Sequence, residues 1–138
     1  MRRIVAAPAV SLGVLLLLLT GCSEVEDAAK DAAGSAACTS ARGALDGAKD
    51  TVGDALDNIG ANPEAAERAL DGVRRVLETA ENGLSGDAKR ALAEARDAVA
   101  DLADEASEAA DGAEVDTSAV DDAKDRFDGA ADELADAC

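Results

Sequence analysis

Residues 117–138 read TSAVDDAKDRFDGAADELADAC, and the pattern of this stretch decides the fold that we expect for the chain. Val120, Phe127 and Leu134 lie seven residues apart, a spacing that places all three on one face of an α-helix. Cys138 follows one helical turn after Leu134, at the end of the same face. The stretch therefore predicts an amphipathic helix of about 33 Å that ends at a cysteine.

Three earlier segments repeat apolar residues at alternating spacings of three and four, which also lines one helical face. The first runs from Cys38 to Ile59 and matches the last helix in length. The second and third patterns cover residues 66–84 and 88–106, and strand signals are absent. The sequence therefore predicts an all-α protein with four helices.

The predicted ends of these helices carry residues that stop or cap helices. Three glycines are placed to end helices in a left-handed conformation: Gly60, Gly83 and Gly112. Three polar side chains are placed to accept hydrogen bonds from the first amides of the following helices: Asn62, Ser85 and Asp116. Because the connections are short, consecutive helices are expected to pack antiparallel.

In an up-down bundle of this kind the first and fourth helices are antiparallel neighbours, so Cys38 is expected beside Cys138. The core is lean, because residues 38–138 contain only 16 hydrophobic residues larger than alanine. Gly43, Gly47 and Gly53 lie inside the first helix, where we expect them to let a neighbouring backbone approach closely. The prediction is a small, alanine-rich, antiparallel four-helix bundle over residues 38–138.

The start of the chain has a different composition. Met1-Arg2-Arg3 precedes a ten-residue apolar stretch, residues 10–19, which is too short for a membrane span of ~20 residues. It closes with Leu19-Thr20-Gly21-Cys22, which resembles the end of a bacterial lipoprotein signal peptide. The alternative is an ordinary secretory peptide with an incidental cysteine.

The lipoprotein resemblance implies that residues 1–21 are cleaved as a signal peptide and that Cys22 becomes the acylated N-terminus. Residues 22–37 would then form an acylated tether, either extended or helical. The protein would lie outside the cytoplasm, anchored by lipid to the bacterial cell membrane, or to the outer membrane in a cell that has two. Stable anchoring takes two or more acyl chains, which a diacyl or triacyl Cys22 would supply.

Cys38 and Cys138 are the two thiols that remain once Cys22 is acylated, and secretion would place them in an oxidising compartment. An intramolecular disulfide between them would stabilise the fold by up to ~4.7 kcal/mol in the chain-entropy model. Intermolecular disulfides and a reactive thiol pair are the alternatives. Neither cysteine has a neighbouring histidine or a Cys-x-x-Cys partner that would activate it.

Charge and composition exclude several classes of function. Removal of Arg2 and Arg3 would lower the count of bases from 13 to 11 against 30 acids, which leaves a net charge of −19. This charge disfavours nucleic acid as a partner, since binding it requires neutralised phosphates. The chain contains no histidine, so a Ser-His-Asp triad and the usual zinc and di-iron ligand sets cannot form. We therefore expect neither catalytic activity nor a cofactor.

Ten acids and no base occur between residues 97 and 122. The candidate acidic patch within this run comprises Asp97, Asp101, Asp104, Glu105, Glu108 and Asp111. One interpretation is a solvated face that keeps an anchored protein soluble. The other is a surface for a basic protein segment or for loosely held divalent cations.

Three functional hypotheses follow. The first is a lipoprotein that acts as a structural or protein-interaction module of the bacterial envelope. The second is an acidic, cation-binding or cation-buffering lipoprotein. The third is a largely disordered protectant similar to desiccation-related proteins, because residues 30–34 weakly resemble segments of such proteins. The regular helix caps argue against this third hypothesis. The sequence leaves the oligomeric state open.

Overall fold

The computed structural model describes residues 22–138, and it describes side chains from Lys30 onward. This part of the chain forms four α-helices and no strand: α1 (Cys22–Asn58), α2 (Pro63–Glu81), α3 (Gly86–Ala110) and α4 (Thr117–Ala137). The helices pack as a four-helix bundle, which confirms the predicted fold class. The predicted signal peptide, residues 1–21, lies outside the described residues.

One apolar cluster runs through the bundle. Phe127 is among its largest fully buried side chains, and alanine supplies about half of its members. No polar or charged side chain is buried among the residues whose side chains are described. α3 packs closely on both α2 and α4, and α2 in turn packs on α1. The core contains few large side chains, and its alanines let neighbouring helices approach each other closely.

Most of the predicted helix ends are confirmed. The Asn62 side chain accepts a hydrogen bond from the Ala65 amide, and Asp116 accepts from the amides of Ser118 and Ala119. Both caps satisfy amide groups that the first turn of a helix leaves without a partner. Gly83 and Gly112 adopt positive φ angles of 90° and 97°, as expected for residues that end helices.

Two predicted ends differ from the structure. Ser85 occupies the N-cap position of α3, but its side chain makes no capping hydrogen bond. The next residue, Gly86, also has a positive φ angle, 57°, which the sequence analysis did not predict. Gly60 does not take a positive φ, because α1 ends at Asn58 in a turn closed by backbone bonds from Ala61 and Asn62 to the Asn58 carbonyl.

α1 begins at Cys22, sixteen residues before the first apolar repeat at Cys38. The segment predicted as a tether is therefore helical in the structure. Residues 30–36 are exposed, whereas Ala37 and Cys38 are half-buried against the core. The boundary at residues 37 and 38 thus appears in the burial of the chain rather than in its secondary structure.

The glycines of α1 do not serve close packing, so that expectation was wrong. A Cβ atom added at Gly43, Gly47 or Gly53 would meet no atom within 4 Å outside its own helix. All three residues are exposed. The small residues that close the bundle are instead the alanines of the core face, such as Ala48 and Ala95.

The bundle has one wide side, between α1 and α4, where the backbones of two neighbouring helices approach each other least. Close backbone approach is extensive between α1 and α2, between α2 and α3, and between α3 and α4, but it is sparse between α1 and α4. Covalent closure by Cys38 and Cys138 therefore acts at the pair of helices whose packing is weakest.

Candidate functional site

The Cys38–Cys138 pair ties α1 to the residue that follows α4. Their Cα atoms are 5.6 Å apart, and the two sulfur atoms form a disulfide. Arg42, one helical turn after Cys38, donates a hydrogen bond from Nη2 to the Ala135 carbonyl at 2.7 Å. Sequence reasoning predicted the disulfide but not the arginine contact, since the pattern gives no sign of which side chain bridges the wide side.

Cys22, the predicted lipidation site, is the first residue of α1. Its side chain lies outside the described part of the chain. Cys38 follows sixteen positions later in the same helix, a distance of roughly 24 Å along the helix axis.

Five of the six predicted acidic-patch residues lie on the outer side of α3, opposite its buried alanines and leucines, and the sixth, Asp111, follows as its C-cap residue. Asp97 accepts hydrogen bonds from Arg96, and Asp101 pairs with Arg126 of α4. Glu105 accepts a hydrogen bond from the Asp116 amide, which ties α3 to the start of α4. The structure therefore brings the patch together on one face and engages three of its members within the fold.

Arg96 borders this patch and also reaches α2. Its Nη1 lies 2.7 Å from the Glu81 carboxylate, whose side chain is only 17% exposed. The hydrogen bond to Asp97, together with the charges of Asp97 and Glu81, raises the pKa of the Arg96 guanidinium above its ordinary value. Arg96 thus joins α2 to α3 through its ion pair with Glu81.

The structure also contains an apolar groove that the sequence analysis did not predict. It lies between the outer sides of α1 and α2, has a volume of about 440 Å³, and is lined by Gly43, Ala44, Gly47, Ala69, Gly72 and Val76 among others. Val76 is 51% exposed and is the exposed large hydrophobic residue of the described chain. The one sign of the groove in the sequence is the lack of side chains at Gly43, Gly47 and Gly72. The sequence does not reveal whether another helix packs over these glycines.

Among the described residues, no group of three or more His, Cys, Asp or Glu side chains is placed to hold a metal ion. None of the helices in the described range has the length and apolar character that crossing a bilayer requires.

Comparison with protein-family models, curated proteins and solved structures returns no match for this chain.

Proposed function

We propose that this protein is a membrane-anchored, extracytoplasmic lipoprotein that acts as a structural or protein-interaction module of the bacterial envelope, and not as an enzyme. The observation that carries the proposal is the continuity of α1 over residues 22–58, which joins Cys22 to a bundle linked by the Cys38–Cys138 disulfide. The lipobox-like residues Leu19-Thr20-Gly21 precede Cys22 directly in the sequence.

The disulfide supports a location outside the cytoplasm. Reducing systems keep thiols of bacterial cytoplasmic proteins free, whereas the periplasm and the cell surface allow disulfides to form and persist. Cys38 and Cys138 are 100 residues apart in sequence, so their bond is of the long-loop type that stabilises a small domain most.

The first part of α1 supports a role as a spacer. Residues 30–36 are exposed and helical, so they keep a fixed length between Cys22 and the bundle instead of collapsing as a flexible linker. The excess of acids favours the same arrangement, because an anionic bundle is repelled by an anionic lipid surface. The anchor would hold the protein to the bilayer while the spacer and the charge keep the bundle away from it.

Metabolic labelling with palmitate tests the proposal in a bacterial host that expresses the full chain. The wild-type protein is expected to take up label and to fractionate with membranes, whereas Cys22→Ala is expected to do neither. The matched control is the Cys38→Ala/Cys138→Ala double variant, which removes the other two thiols and is expected to keep its label. An unlabelled wild-type protein, or a labelled Cys22→Ala variant, would overturn the proposed anchor.

No arrangement of side chains within residues 30–138 favours cation binding over this role. Three patch acids, Asp97, Asp101 and Glu105, already have partners within the fold. Asp104 and Glu108 on the outer side of α3 and Asp111 at its C-cap are exposed, so water solvates them.

A further inference from the structure

The outer side of α1 carries an acidic stripe beside the groove. Gly43, Gly47, Asp50 and Asp54 are spaced by four, three and four residues, so they lie on one face of the helix. All four are exposed. Neither Asp50 nor Asp54 makes an ion pair with any residue from 30 to 138.

The outer side of α2 carries a basic stripe with the same spacing, formed by Arg68, Gly72, Arg75 and Thr79. These residues are also exposed. Arg68 donates from Nε to the Glu64 carbonyl of its own helix and also lines a depression between α2 and α3, whereas Arg75 lines the end of the groove beside Val76. Within residues 30–138, neither arginine is ion-paired with a carboxylate. The groove is thus apolar, and on the outer face of the bundle it is flanked by the acidic stripe of α1 and the basic stripe of α2, its two rims, of whose charged residues Arg75 lines the groove itself.

The two rims match each other in height along the bundle. Because α1 and α2 run antiparallel, the residues nearest the connection between them, Thr51 and Ala69, line one end of the groove. Gly43 and Val76, which are farthest from that connection, line the other end. Arg68 therefore stands level with the turn of α1 that contains Asp50 and Asp54. Val76 stands level with the glycines.

A surface of this kind is complementary to itself. A two-fold axis parallel to the helices places α1 of one copy on α2 of the other at the same height, which sets Arg68 against Asp50 and Asp54. It also sets Val76 against the uncovered backbone at Gly43 and Gly47. A two-fold axis across the helices would instead place α1 on α1 and oppose like charges, which is unfavourable.

We propose that the outer face of α1 and α2 is a self-association surface whose partner is a second copy of this chain, related by a two-fold axis parallel to the helices. Val76 of each copy packs on Gly43 and Gly47 of the other, and Arg68 pairs across the interface with Asp50 and Asp54. This axis leaves both copies of Cys22 at the same end of the dimer, as two anchors in one membrane require. That last step rests on the proposed function, but the groove and its charged rims do not.

The first test fills the groove without disturbing the fold of the single chain. Gly47→Leu is the informative variant, since an added Cβ meets nothing within 4 Å and leucine favours helix more than glycine does. Gly53→Leu is the matched control, because it makes the same change on α1 at an equally open site that does not line the groove. Sedimentation velocity of the full chain in a nonionic detergent, over a range of protein concentrations, measures association.

We expect the wild type and Gly53→Leu to dimerise alike and Gly47→Leu to dimerise about tenfold more weakly or worse, because a bulky side chain would block Val76. A wild-type chain that stays monomeric at all concentrations overturns the proposal. So does equal dimerisation of the Gly47→Leu and wild-type chains.

The second test exchanges charges across the interface. Arg68→Asp and Asp54→Arg, made separately, are each expected to weaken dimerisation several-fold at about 50 mM salt, where exposed charges still interact. The double variant restores the opposite charges in exchanged positions and is expected to recover most of the loss. If both single variants associate as the wild type does, or if the double variant is as weak as the single ones, the assigned axis is wrong.

Mass spectrometry of the same samples keeps this inference separate from the proposed anchor. An acylated but monomeric chain contradicts self-association and leaves the anchor intact. A dimeric chain without acyl groups contradicts the anchor and leaves the self-association surface intact.

Discussion

At the scale of single residues, Gly53 and Gly112 show two opposite roles of glycine. Gly53 lies inside α1 with ordinary helical geometry, and a Cβ there would meet nothing within 4 Å. Gly112 ends α3 with a φ angle of 97°, a conformation that residues with a Cβ rarely adopt. The same substitution should therefore have opposite effects at the two sites.

We expect Gly53→Ala to raise the free energy of unfolding by about 0.5–1 kcal/mol, because alanine loses less backbone entropy in a helix. Gly112→Ala should lower it by about 1 kcal/mol through left-handed strain. Urea unfolding followed by circular dichroism measures both. A loss of stability in Gly53→Ala would contradict the open environment that the structure gives this residue.

The helix caps allow a second comparison of matched residues. Asp116 accepts two amide hydrogen bonds at the start of α4, whereas Ser85 accepts none at the start of α3. Asp116→Ala is therefore expected to cost about 1 kcal/mol of stability, and Ser85→Ala only a few tenths. Equal losses in the two variants, measured by the same urea titration, would contradict the assigned difference between the caps.

At the scale of helices, the sequence predicted α2, α3 and α4 nearly to their ends. Each of these helices has an apolar face and starts beside Asn62, Ser85 or Asp116, so two independent signals agree. The start of α1 was not predicted, because residues 22–37 include a run rich in alanine and acids that favours helix but shows no repeat of larger apolar residues. Periodicity detects the face that a helix buries, and the exposed residues of this segment bury none.

The sequence predicted the disulfide and the acidic patch but neither the groove nor the Arg42 contact, because it shows patterns along a helix and not the packing between helices. The disulfide followed from matched helix lengths, and the acidic patch from a run of like charge. The groove depends on which helix covers the glycines of α1, and this is a property of packing between elements. Arg42 was missed because its acceptor is a backbone carbonyl, at Ala135, which leaves no mark in the sequence.

The weak packing of α1 on α4 leads to a prediction for this helix. Without the disulfide, α1 is held mainly by α2, whereas α3 remains packed between two helices. In the Cys38→Ser/Cys138→Ser variant, amide hydrogen exchange should accelerate most between residues 38 and 58 and least in α3. The variant should also lose about 2–5 kcal/mol of stability.

The oxidised protein is the control for that exchange experiment, since it has the same four helices with the ends of α1 and α4 joined. A uniform acceleration across all four helices would mean that the bundle opens as a single unit. In that case α1 would not be the weakest element, and the sparse approach of α1 to α4 would have no consequence for stability.

At the scale of the whole molecule, unbalanced charge opposes the compact state. Residues 22–138 carry 30 acids and 11 bases, and the ion pairs that form are mostly exposed, such as Lys124–Asp128 and Arg126–Asp101. Exposed pairs contribute little to stability, whereas repulsion among many carboxylates acts over the long screening length of dilute buffer. Repulsion should therefore outweigh attraction at low salt.

We expect the melting temperature to rise by ~4–8 °C between about 10 mM and about 0.3 M NaCl, which corresponds to roughly 1 kcal/mol for a domain of this size. Asp104→Asn/Glu108→Gln removes an exposed pair of like charges four residues apart, so it should raise stability at low salt and reduce the salt response. A melting temperature that falls with NaCl would mean that the ion pairs dominate instead. Calcium chloride at matched ionic strength separates screening from binding, because only a bound cation gives a larger shift than sodium does.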